Sequence, residues 1–377
     1  MLSLKRVQAG DLLKFTKGIA ILLIYFHHYS RSVWLSRGLP TPTLMQWNFA
    51  PSGEDFGVLA SAIRDGRYSE VFLRLMASFG YVGVHLFVLM SGMGLALGTP
   101  ELIGTGAFLK RRILRIVPPF WLAVAVFAIL DWVAGHPYSV GRILERMLLL
   151  TTFDAKRFFI IDSPLWCLAV FFQLYLLFLP LRRLIVNYGM LSLLSLAVIG
   201  FIARWLASLP SILNWNEYFG HTVALNWLAV FGFGIWVGNR LRMDGEIALS
   251  AWGTIGTTLI CVLLVVLSEV SASAYPIHDT AIAVLIGMVT FLAWRVLTAT
   301  PFAQAFAAVG AVSFPFYLYH RPIVAKVINL WFARSVAGSL PPLILGIALA
   351  TGLVLLLLLV QRALHRSPRI AAWTVGV

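Results

Sequence analysis

Charge is what this sequence has least of. Only 12% of its 377 residues are Asp, Glu, Lys or Arg, about half the share found in soluble globular chains. Acids are the scarcer sign, 15 against 29 basic residues. Cysteine is nearly absent as well: Cys167 and Cys261 both fall inside apolar stretches, which excludes a disulfide framework, and no metal-ligand spacing accompanies them. Strict apolar–polar alternation is missing, which argues against a barrel. The first residues, MLSLKRVQAGDLLKF, lack a short apolar core followed by a small-residue cleavage site, so the first apolar segment is expected to remain as an anchor. Low-complexity tracts and internal repeats are missing too.

What fills the chain instead is apolar sequence, 60% of all residues. Stretches long enough to cross a bilayer recur from end to end, the pattern of an all-α polytopic membrane protein. Ten spans are expected, at roughly 15–35, 73–97, 113–133, 164–181, 189–208, 221–239, 249–268, 279–298, 308–332 and 341–361. With both termini placed in the cytoplasm, the inner segments hold 16 of the basic residues and four acids. The net charge of +14 is then explained by the positive-inside rule, and no nucleic-acid partner is needed. Two outer connections are long, about 36–72 and 134–163, and are expected to be loops. The whole chain, 1–377, reads as a single transmembrane domain with no soluble domain fused to it.

Five constellations carry polar chemistry into this apolar background. In KGIAILLIYFHHYSR, Lys17 and His28 lie eleven residues apart, which puts them within about 20° of each other around a helix and about 16 Å apart along it. His27 points about 100° away. An ionisable group in a membrane is a functional candidate by default, and a neutral imidazole is suited to removing a proton; interfacial packing is the plainer reading. In KRRILRIVPPFW, Lys110, Arg111, Arg112 and Arg115 form a basic cluster. It suits either topology and lipid headgroups or a phosphorylated ligand held by guanidinium forks. Pro118 and Pro119 are expected to bend or interrupt that helix. Ser91 and Gly92 form a small-residue spot suited to close packing, and His85 is expected to bond to a neighbouring helix. Gln173 and Tyr175 are the polar members of the span that begins near Trp166. His320 and Arg321 precede Pro322.

Taken in order, these pieces form a pattern. A basic residue eleven positions before a histidine is followed by GVHLFVLMSG, then RILRIVPPFW, then LWCLAVFFQLYLL, then YLYHRP. In this order, from about Lys14 to Pro322, the chain resembles the integral-membrane acyltransferase-3 family. The resemblance implies transfer of an acyl group, often acetyl, from cytoplasmic acyl-CoA to a glycan or lipid-linked sugar hydroxyl across a bacterial inner membrane. It implies catalytic roles for His28 and Lys17 and acyl-CoA binding by Arg112 and Arg115, with Arg111 beside them. Ser91, Trp166, Gln173, Tyr175 and His320 are then pocket candidates. No resident cofactor or metal is implied; membrane lipid, the glycan and polysaccharide-assembly proteins are the expected partners.

The chain departs from the family pattern in two places. His85 stands where many members have Asp, and Phe171 and Phe172 stand where many carry two glutamates, so no carboxylate role is available at those positions. Whether His28 acts as a general base or takes the acyl group itself stays open at this level. A transporter or flippase of a lipid-linked sugar or small anion is the alternative. Against it stands the lack of any signal for a pair of broken helices in corresponding halves.

Overall fold

The computed structural model describes residues 2–36, 53–133, 135–150, 165–207, 222–271, 274–321 and 342–364. Apart from a two-stranded sheet, β1 (Leu2–Lys5) with β2 (Glu246–Leu249), its regular elements are helices. In order they are α1 (Ala9–Ser36), α2 (Gly53–Arg64), α3 (Tyr68–Phe79), α4 (Val82–Gly98), α5 (Thr105–Val133), α6 (Val140–Met147) and α7 (Trp166–Tyr188). They continue with α8 (Met190–Ala207), α9 (Leu228–Asp244), α10 (Ala251–Val270), α11 (His278–Leu297), α12 (Pro301–Ala311), α13 (Ser313–Arg321) and α14 (Pro342–Leu364). Each of the ten expected segments meets a helix. Among the described residues, five helices are long and apolar enough to cross a membrane, or up to seven when two bent pairs are counted as one span each.

Packing divides the chain into two compact units. The first comprises Met1–Ala9, Val88–Ala248 and Leu359–Val377; the second comprises Gly10–Phe87 and Leu249–Leu358. In the first unit, α7 and α8 turn back on one another through the single residue Gly189, whose φ of 53° is open to glycine. Here α9 meets the Val88–Gly98 part of α4 in backbone contact. A Cβ on Gly234 would strike the Leu89 carbonyl oxygen, and one on Gly92 would strike that of Phe231. Gly92 is therefore a packing residue, as its size suggested. In the second unit, Ser250 caps α10 by accepting a hydrogen bond from the Gly253 amide at 2.9 Å.

Several expectations change. The two outer connections are not structureless: the first contains α2 and the start of α3, the second α6. Residues 37–52 of the first and 151–163 of the second, and Pro322 with the rest of the ninth expected span, lie outside the described residues. Prolines 118 and 119 do not interrupt α5, which runs through both. The carbonyls of Leu114 and Arg115 lose their helical donors, but both rings are buried, and packing holds the helix together across the gap. Broken helices, unexpected from the sequence, occur twice among the described residues. Helices α3 and α4 bend by 55° and α12 and α13 by 71°. The second break has a local cause: Pro315 lacks the N–H that would have bonded to Ala311, the last residue of α12.

Helix α1 is not among the apolar spans, because it carries Lys14, Lys17, His27, His28 and Arg31. Its other faces are nonetheless buried, with Ala20, Ile21, Tyr25 and Tyr29 all at 0% exposure. Close contact with α12 is the reason. A Cβ on Gly18 would collide with the Phe306 carbonyl, and one on Gly310 with the Lys14 carbonyl. Gly18→Ala should therefore destabilise the protein by about 1–3 kcal/mol. Gly10→Ala, with open space around it, should leave stability unchanged or raise it slightly. Thermal unfolding of the purified variants checks both, and equal midpoints would contradict the close contact.

Candidate active site

The second unit holds α1 from three directions. The Tyr25 hydroxyl donates to the Gly346 carbonyl of α14 at 2.8 Å, and the Tyr29 hydroxyl donates to the Pro342 carbonyl at the start of the same helix. Gly18 and Gly310 fix α12 against it. At the α3–α4 break, Gly80 lies against the Leu23 carbonyl and His27 Cβ, and Gly83 against the Ala20 carbonyl. These contacts fix the rotation of α1 about its axis, and with it the direction in which each histidine points.

His27 faces α3: its Cβ lies against Gly80, at the C-terminal end of that helix. His28 turns elsewhere: its ring centroid lies 5.3 Å from that of His320, the rings tilted by 36°. The structure thus brings together the two histidines that the sequence placed almost three hundred residues apart. His320 is fully buried, stacked on Phe316 at 6.3 Å and flanked by Tyr317 at 5.8 Å. Its Nδ1 is 2.8 Å from the Tyr317 carbonyl. A carbonyl only accepts, so Nδ1 carries the proton and a neutral ring leaves Nε2 as the bare nitrogen. That Nε2 is buried and has no hydrogen-bond partner among the described residues. His28 itself is half-buried, as is Lys17 on the same face. A fixed acceptor beside a partly accessible imidazole suits proton removal from a hydroxyl.

In the first unit the structure gathers a second set of expected residues. Arg112 is half-buried, and its guanidinium lies over the Phe108 ring at 5.6 Å. It interacts electrostatically with Tyr175, whose hydroxyl is 3.3 Å from Ser91 Oγ. Arg112 Nε is buried and without a hydrogen-bond partner among the described residues. Lys110, Arg111 and Arg115 are exposed. Gln173 is occupied by the protein: Nε2 donates to the Ala169 and Thr222 carbonyls, while Oε1 accepts from the Ala224 amide at 3.0 Å. It staples the chain before α9 to α7. Trp166 packs beside Trp227, centroids 6.3 Å apart.

The sequence reading missed a further polar group in the second unit. His85, expected to bond to a neighbouring helix, is in ion-pair contact with Asp279 of α11 at 2.9 Å, both residues buried. Beside it, Tyr81 Oη is 2.8 Å from His278 Nε2, and His278 Nδ1 is 2.9 Å from Ser268 Oγ. Ser268 also donates to the Val265 carbonyl at 2.6 Å, which fixes the direction of the series. His278 donates to Ser268, and Tyr81 donates to His278. Tyr81 sits at the α3–α4 break, so this series pins the bend. The signal was present in YPIHDTAIAVLIG: an acid and an imidazole opening an apolar span that could have begun after them.

Removing one partner of a buried polar pair takes from the other a contact that water cannot replace there. Asp279→Leu is expected to destabilise by about 1–3 kcal/mol, and His85→Leu combined with it to recover most of that loss. Unfolding of the single and double variants gives the coupling directly, and additive losses would contradict the pairing.

No curated protein and no solved structure matches the chain. A family model for an acyltransferase domain does match, over residues 12–360, a stretch that includes Lys17, His28, Arg112, Arg115, Tyr175 and His320. With nearly the whole chain covered, the protein belongs to the acyltransferase-3 family of membrane acyltransferases.

Proposed function

We propose that the protein is an O-acyltransferase of a bacterial inner membrane. Its N- and C-termini are cytoplasmic, and it moves an acyl group, acetyl in the simplest case, from acyl-CoA to a hydroxyl of an extracytoplasmic or lipid-linked glycan such as an exopolysaccharide or O-antigen. The observation that supports this most is the His28–His320 pair within the matched region. One imidazole is fixed by a backbone carbonyl, and the other is half-buried on the face that also carries Lys17.

In this reading His28 takes the proton of the acceptor hydroxyl as its oxygen attacks the thioester carbonyl. The carbon–sulfur bond breaks, an ester forms, and the CoA thiolate leaves and takes up a proton. The bare Nε2 of His320 suits a hydrogen bond that orients either His28 or the hydroxyl. Transfer through an acyl-His28 intermediate balances equally: the imidazole displaces the thiolate, then yields the acyl group to the hydroxyl. Arg111, Arg112 and Arg115 are assigned to the phosphates of CoA, for which guanidinium forks are suited. Ser91 and Tyr175 are contacts near Arg112.

The two broken helix pairs also suit a transporter of a lipid-linked sugar. Thiol release from acyl-CoA by purified protein, with acceptor present, separates the readings, since a transporter releases none. His28→Ala is expected to lower that release by about 100-fold or more, and full activity in this variant would overturn the mechanism. Arg112→Ala with Arg115→Ala should raise KM for acyl-CoA while changing kcat little. An unchanged KM would leave both arginines as topology residues.

A further inference from the structure

At one end of the first unit, three side chains meet as donors without enough acceptors. Arg182 of α7 is only 7% exposed. Its Nη1 donates to the Thr99 and Pro100 carbonyls at 3.0 and 3.2 Å, and its Nε to Asn239 Oδ1 at 3.3 Å. Arg242 of α9 donates to the same Thr99 carbonyl. The one carboxylate beside it among the described residues, Glu101, stands 3.6 Å away and is itself largely exposed. Asp244 is taken by Arg240 at 2.9 Å. Arg6 adds a third guanidinium, donating to the Arg242 carbonyl at 3.5 Å.

Cations are expected at the end of α4, where helix carbonyls lack donors. That accounts for one arginine. It does not account for two guanidiniums on one oxygen, since like charges this close repel. Nor does it account for Asn239. The bond from Arg182 Nε to Oδ1 fixes which end of the amide is the oxygen, so Nδ2 is its donor end. Asn239 is 6% exposed, and its Nδ2 has no hydrogen-bond partner among the described residues. A buried donor left unpaired costs about 1–3 kcal/mol. A small anion with several acceptor oxygens would satisfy all three side chains together and remove the repulsion.

We propose that Arg182, Asn239 and Arg242 form an anion subsite for a phosphoryl group, separate from the basic cluster on α5. Two sources supply that chemistry: the phosphates of the acyl donor, an attribution that rests on the acyl-CoA reading above, or the headgroup of an anionic phospholipid.

Asn239→Asp supplies the test, because it keeps the acceptor for Arg182 Nε and puts a negative charge where the ligand's would sit. The full-length protein is placed in phosphatidylcholine nanodiscs and its unfolding midpoint read with free CoA, with pantetheine, and with phosphatidylglycerol added to the discs. The wild type should be stabilised by CoA and not by pantetheine if the donor is the source, or by phosphatidylglycerol if lipid is. Asn239→Asp should unfold at a higher temperature without ligand and bind the effective probe about tenfold or more weakly. A wild type indifferent to both probes overturns the subsite. So does an Asn239→Asp variant that responds as the wild type does, including the case where only Arg112→Ala with Arg115→Ala loses the CoA response. Binding is read without turnover, so an inactive enzyme that still responds to the probe would count against the acyl-transfer reading and not against the subsite.

Discussion

Everything about this protein turns on one constraint: a polar group inside a bilayer must find its partner within the protein. Helix α1 breaks the apolar rule by carrying Lys17, His27, His28 and Arg31, and the second unit answers by enclosing it. Glycines let α12 and the α3–α4 break touch its backbone. Two tyrosine hydroxyls tie it to α14. Since association in lipid draws on close packing and hydrogen bonds rather than on the hydrophobic effect, these contacts are the fitting ones. They leave one strip of α1 less buried, and His28 is on it.

The same constraint explains the polar series at the α3–α4 bend. A helix that breaks in a membrane frees backbone groups and needs side chains to hold the new direction. Tyr81, His278 and Ser268 form a directed set of hydrogen bonds that ends on a carbonyl, and His85 with Asp279 closes the α4–α11 contact nearby. The His85 imidazole thus has a carboxylate opposite it on another helix. In the first unit Gln173 does comparable work by using both ends of its amide.

Much of the fold was legible because apolar length is a strong signal and helix is the favoured way to satisfy a backbone in lipid. Lys17 and His28 were legible as a pair from helical periodicity alone, and α1 is unbroken between them. What escaped the sequence depended on contacts between distant segments. Proximity of His28 to His320 is set by how α12 and α13 bend, and no local pattern encodes that angle. Prolines 118 and 119 promised a break that burial overrode, whereas Gly80 and Tyr81, with no proline beside them, mark a real one. Asp279 opens its expected span, and an acid at the first position of a span has the look of an interfacial residue, so its partner on another helix was not legible. Arg182 and Arg242 are among the basic residues of the inner segments, and no local pattern shows that they share the Thr99 carbonyl.

The central claim is that the His28 imidazole is the group that meets the reacting atoms. Chemical rescue tests it most directly, with acyl transfer by purified His28→Gly protein followed as imidazole is added. The account predicts that His28→Gly loses transfer and that imidazole, entering the space vacated by the side chain, restores part of it. A His28→Gly enzyme that transfers acyl groups at the wild-type rate without imidazole would contradict it.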